Sequence, residues 1–104
     1  MVVYDVRHTE SSENDLLDIL RYIAAELNEP ETALKMVETI DRNIESLSTM
    51  PLRYALVDDE RLAEIGYRKL LIKNYIAFFT IDEDSSTVNI ERILYGRRDW
   101  LHIL

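Results

Sequence analysis

Residues 11–49 read SSENDLLDILRYIAAELNEPETALKMVETIDRNIESLST, and this stretch decides the fold. Leu16, Leu20, Ile23 and Leu27 recur at i, i+4, i+7 and i+11, joined by Leu17 and Ala24. That spacing is one apolar face of an amphipathic helix over about 11–27. Ser12, with Asp15 three residues on, reads as the acidic form of a capping box at its start. Asn28-Glu29-Pro30 ends this helix and begins another, because proline fits the first helical turn, where its missing N–H is not needed. Ala33, Val37, Ile40, Ile44 and Leu47 keep a 4-3-4-3 rhythm, the spacing of a helix lying nearly antiparallel to its neighbour. Pro51 closes it. The result is a helical hairpin.

On either side the period changes. Val2-Val3-Tyr4-Asp5-Val6 is a short β-prone run, and residues 58–65 are expected to hold a helical turn. Residues 67–72, 75–81 and 87–95 are rich in aromatic and β-branched types and lie at the spacing of an antiparallel meander. Within the last of them Val88 and Ile90 share one parity, while Ile93 and Tyr95 fall on the other. A β-bulge near Glu91-Arg92 restores a single buried face. The expected fold is α+β in the order β-α-α-β-β-β: a helical hairpin packed on a small antiparallel sheet, with the first strand returning to an edge. A chain of 104 residues is one domain, spanning 1–104.

Composition bounds the function. Hydrophobic residues at 47% and charged residues at 31% are those of a folded globular chain, not a disordered one. With no cysteine, a disulfide framework and a thiolate metal site are both excluded. The longest apolar run, Ile76-Ala77-Phe78-Phe79, is far below the roughly 20 residues that span a bilayer, and no leader pattern follows Met1, so a cytoplasmic location is expected. The net charge is −8, but it is unevenly placed. Residues 1–60 hold 5 Lys/Arg against 14 Asp/Glu, whereas residues 61–104 hold 7 against 6. Three of those six acids form the turn-like run Asp82-Glu83-Asp84, which leaves the remainder of the C-terminal segment locally basic. Cations neutralise phosphates and partner carboxylates, so the active half is expected there.

Four segments carry a family resemblance. They are Tyr4-Asp5-Val6 followed by Thr9; residues 18–24, DILRYIA; Gly66-Tyr67-Arg68-Lys69-Leu70 running into Asn74-Tyr75; and residues 90–99, IERILYGRRD. Together, and in this order, the chain resembles the RelE/ParE superfamily of toxins, plasmid-stabilisation branch. The resemblance implies a cytoplasmic toxin of a type II toxin–antitoxin system, bound by a cognate antitoxin in a hetero-oligomer. No cofactor, metal or membrane partner is implied. RelE-like members cut ribosome-bound mRNA without a metal, and ParE-like members poison DNA gyrase. The reading inclines to a ribosome-dependent mRNA endonuclease or translation inhibitor. A ParE-like gyrase inhibitor is the alternative, and a catalytically silent antitoxin-binding module the second alternative.

Metal-free cleavage through a 2′-hydroxyl needs a base, an acid and cations for the phosphorane charge. By the resemblance, Arg98 aligns with an arginine beside the scissile phosphate and Arg68 with a basic residue of the second strand. A further arginine of the RelE site has Ile76 in its place, and the terminal tyrosine of RelE has no counterpart. His102 is the nearby group that titrates close to neutrality. The candidate catalytic residues are therefore Arg98, Arg68 and His102, with Lys69, Lys73, Arg92 and Arg97 expected to bind the target. Tyr67, Tyr75, Phe78, Phe79 and Tyr95 read as core and sheet packing rather than base-stacking platforms. Trp100 is expected against the first helix or a partner, and the antitoxin on an apolar sheet face and the basic segment.

Overall fold

A computed structural model describes residues 2–104. Strand β1 (Asp5–His8) runs directly into helix α1 (Glu10–Arg21) through a single residue, Thr9. Thr9 is the helix cap: its side-chain oxygen accepts from the Ser12 amide at 3.2 Å. The same hydroxyl reaches the Ile90 carbonyl at 2.8 Å and the Glu91 carbonyl at 3.1 Å. The capping box expected of Ser12 and Asp15 is thus corrected. Both residues are buried within the helix rather than set at its end, because the chain must turn out of the sheet one residue after β1 stops. The last turn of α1 widens into a π-turn over Tyr22–Glu26, and Asn28 in the left-handed region (φ 54) releases the chain into helix α2 (Pro30–Glu45). Single 3₁₀ turns at Ser46–Ser48 and Pro51–Arg53 lead to the short helix α3 (Glu60–Ile65). Asp59 caps its start and Gly66, at φ 101, its end, where a left-handed backbone suits glycine.

Strands β2 (Arg68–Ile72), β3 (Tyr75–Asp82) and β4 (Thr87–Tyr95) form the expected antiparallel meander. Sheet order is β1-β4-β3-β2, and β1 joins β4 in parallel, so the four-stranded sheet is mixed. The bulge is where parity placed it. Phe78 opposes Arg92 and Phe79 opposes Ile90, leaving Glu91 as the extra residue. Val88, Ile90 and Ile93 consequently all face the hairpin, in one core with Ile19, Ile23, Ile40, Ile44, Leu70, Ile72 and Phe79.

The other sheet face is not open. Ile76, Phe78 and Leu94 point to that side, where Val57 and Leu62 cover them together with a last helix, α4 (Trp100–Ile103). Trp100 lies on Phe78 with ring centroids 5.1 Å apart, not on the first helix. The apolar sheet face expected to receive a partner is therefore closed by the chain itself. No helix is long and apolar enough to cross a membrane among the described residues.

Candidate functional site

The basic residues gather where two turns meet at one end of the sheet. The β2–β3 turn carries Lys73 in the left-handed region (φ 55) and Asn74, whose carbonyl accepts from the Gly96 amide at 2.8 Å. That bond ties down the segment between β4 and α4, which holds Arg97 and Arg98. A Cβ added to Gly96 would lie 3.2 Å from the Asn74 oxygen, so the two turns meet as closely as they do because residue 96 has no side chain. Tyr75 and Tyr95 pack edge-on across the strand end at 5.8 Å.

Two concavities open at this end. A groove of about 650 Å³ separates α1 and its π-turn from the end of β4. Tyr22, Leu27, Met36 and Tyr75 give its apolar walls, Asp18 and Glu29 stand on its helical rim, and Arg98 stands at the strand end. The Arg98 side chain is exposed and makes no hydrogen bond or ion pair among the described residues. Beside it a smaller hollow of about 270 Å³ is lined by Leu71, Lys73 and Arg97. Leu71 is an edge-strand leucine at 65% exposure, the kind of isolated apolar anchor that a partner covers.

The other candidates are placed differently. Arg68 begins β2 opposite Phe79, and Ile72 ends it opposite Tyr75. Four residues of strand therefore put Arg68 roughly 13 Å back from the turn that Arg98 adjoins. Its guanidinium donates to the Tyr54 carbonyl at 2.6 Å and so holds the segment running alongside β2. Lys69 follows it there, with its amide on the Ala55 carbonyl. His102 is on α4 with its side chain 86% exposed, and its Nδ1 lies 2.5 Å from the Asp99 carboxylate. Arg98 is thus not paired with its neighbour Asp99.

Arg92 is committed elsewhere. It donates Nε and Nη2 to the two Asp15 oxygens at 2.7 and 2.8 Å, and the Ile93 amide donates to the same carboxylate at 2.9 Å. The hydrogen bonds to Asp15, opposed by partial burial, raise the Arg92 pKa above its already high value. A guanidinium holding a buried carboxylate in this way anchors α1 to the bulge, at a residue that the sequence alone placed among the target-binding cations. Sequence reasoning missed Asp15 itself. The available signal was its row: Asp15, Ile19 and Ile23 stand at i, i+4 and i+8, and a carboxylate in a core-facing row requires a buried partner. Burial also raises the pKa of Tyr75, reinforced by the neighbouring Tyr95 and Tyr22, and burial with the charge of Glu91 raises that of Tyr67.

The family described as the ParE toxin of type II toxin-antitoxin system, parDE, matches residues 6–100. The fold is similar to a chain of the chromosomal ParDE toxin–antitoxin system from P. aeruginosa, with a TM-score of 0.75, 24% identity, and coverage of 91% of this chain and 98% of that one. It is also similar to a chain of the RelBE2 toxin–antitoxin complex from Mycobacterium tuberculosis, with a TM-score of 0.62, 25% identity, and coverage of 90% and 99%. No curated protein matches the sequence.

Proposed function

This chain belongs to the ParE toxin family of type II toxin–antitoxin systems, and we propose that it acts in the cytoplasm as a gyrase-directed toxin that works by binding rather than by cutting RNA. The observation that carries this reading is the dispersal of the candidate catalytic groups. Arg68 stands roughly 13 Å along the strand from the turn beside Arg98 and is bonded to Tyr54. His102 is engaged by Asp99 in solvent. Phosphoryl transfer needs acid, base and cation gathered at one phosphate, whereas Arg68 is bonded to the Tyr54 carbonyl and His102 to Asp99. A binding toxin needs only a surface. Arg98, Arg97, Lys73 and Leu71 supply one at the strand end, with cations placed to meet carboxylates and one apolar anchor among them.

The same family assignment supports a cognate antitoxin as the protein partner, encoded beside the toxin and silencing it in a hetero-oligomer. Expression of the chain alone, with DNA supercoiling and ribosome-bound mRNA ends measured side by side, tests the reading. Cleaved or relaxed DNA with intact mRNA is the expected result. New mRNA ends in phase with codons, at normal gyrase activity, would return the chain to the ribonuclease branch.

A further inference from the structure

The β2 edge of the sheet is covered only at its start. Residues 55–57 run beside it there: Leu56 opposes Arg68, the Val57 amide bonds the Tyr67 carbonyl at 3.0 Å, and the Lys69 amide bonds the Ala55 carbonyl at 3.3 Å. Ahead of Ala55 the chain belongs to the 3₁₀ turn Pro51–Arg53 and its exit, and no longer follows the strand. Tyr67 and Lys69 thus direct main-chain groups outward, and alternation along the strand directs those of Leu71 the same way. On that side nothing among the described residues bonds the Leu71 amide or carbonyl. The side chains match this opening. Leu71 opposes Ile76 and Lys69 opposes Phe78, so both stand on the sheet face that α4 closes. Leu71 nevertheless lies outside the closed cluster, at 65% exposure. Lys73, two residues on, lines the small hollow together with Leu71 and Arg97. One exposed leucine therefore stands between two lysines at strand spacing, with a free donor and a free acceptor of its own.

We propose that the open edge of β2 at Leu71 receives an extended, acidic segment of the toxin's protein target, added to the sheet as a further strand; the inference rests on the binding-toxin reading above and gives it a mode of contact. The Leu71 amide and carbonyl supply the main-chain bonds. One residue of the added strand lies against Leu71 with its side chain on the same face, over the hollow. The residues two before and two after it face Lys69 and Lys73, at the separation where opposite charges across a strand pair attract. The fitting sequence is therefore an apolar residue with an acid two positions to either side, a pattern that reads the same in both strand directions. Arg97, on the rim of the hollow, meets a further carboxylate. A second copy of this chain does not fit, because pairing β2 with itself about Leu71 sets lysine against lysine at both ends. Nucleic acid would satisfy the lysines and leave Leu71 uncovered.

The test uses the full chain with reconstituted gyrase holoenzyme and DNA. Amide exchange should show Leu71 exchanging freely in the toxin alone, beside a protected Leu70, and slowing by about tenfold or more when gyrase is bound. Leu71→Lys, at an exposed edge position, should keep the parental Tm and weaken gyrase binding about tenfold. Lys69→Glu with Lys73→Glu should weaken it at least as much, by turning attraction for the acids into repulsion. Gyrase binding that leaves Leu71 exchanging as in the free chain, or that Leu71→Lys or the double lysine reversal leaves at parental affinity, overturns the inference alone. Absence of gyrase binding by the parental chain overturns the gyrase reading and the inference with it.

Discussion

Asp15→Ala should be the most damaging single change away from the apolar core. The carboxylate accepts three N–H bonds, two from the Arg92 guanidinium at 2.7 and 2.8 Å and one from the Ile93 amide at 2.9 Å. An exposed ion pair contributes about 0–1 kcal/mol, and removing one partner of a buried pair costs about 3–5 kcal/mol. The side chains here are 9% and 27% exposed, which places the pair near the buried limit but discounts the arginine side. Together with an orphaned backbone amide, a loss of about 3 kcal/mol follows. For a domain of this size that lowers Tm by roughly 15 °C. Urea unfolding at pH 7, followed by far-UV circular dichroism, measures it. The double variant Asp15→Ala/Arg92→Leu should be more stable than the sum of the single losses predicts, by about 2 kcal/mol, because it leaves no unpaired guanidinium. Since the folded-state pKa of Arg92 is raised, its contribution is complete below the ordinary arginine range and is lost only as pH rises beyond it. The Asp15→Ala deficit should therefore stay level from neutrality to about pH 10. A deficit under about 1 kcal/mol, or strict additivity in the double variant, would refute the reasoning and reduce the pair to a surface contact.

Arg98→Ala should leave unfolding unchanged, since the side chain has no partner among the described residues, yet weaken target inhibition by about thirtyfold or more, as the loss of an interface arginine does; full toxicity at parental expression would exclude Arg98 from the site. Tyr67 and Tyr75 should ionise above the ordinary tyrosine range in a titration read at phenolate absorbance. Their raised folded-state values mean stability present below about pH 10 and lost as pH climbs through the folded pKa, so Tyr67→Phe with Tyr75→Phe should flatten that alkaline decline. Trp100→Ala should cost about 2 kcal/mol, about half the value for a fully buried tryptophan, by uncovering Phe78 and Leu94; an unchanged denaturation midpoint would mean that α4 does not cover the sheet.

What the sequence by itself determined is what local periodicity encodes. Leu16, Leu20 and Ile23 specify a helix because their spacing places them on one face whatever lies opposite, although Leu27, expected to extend that face, lies past the π-turn and is exposed, and Pro30 sets the next start through its own covalent geometry. The parity slip between Ile90 and Ile93 called for a bulge near Glu91-Arg92, because an extra residue returns both to the core, and the register places it at Glu91. The tertiary structure alone decided the parallel pairing of β1 with β4, the closing of the second sheet face by α4, and which cations are free. Arg68, Arg92 and Arg98 are the same residue type in the sequence. They differ because the fold brings the Tyr54 carbonyl to the first, brings Asp15 to the second from 77 residues away, and among the described residues brings no acceptor to the third. A side chain's charge is a local property, but its partner is supplied by chain closure over tens of residues, and no spacing rule carries that information.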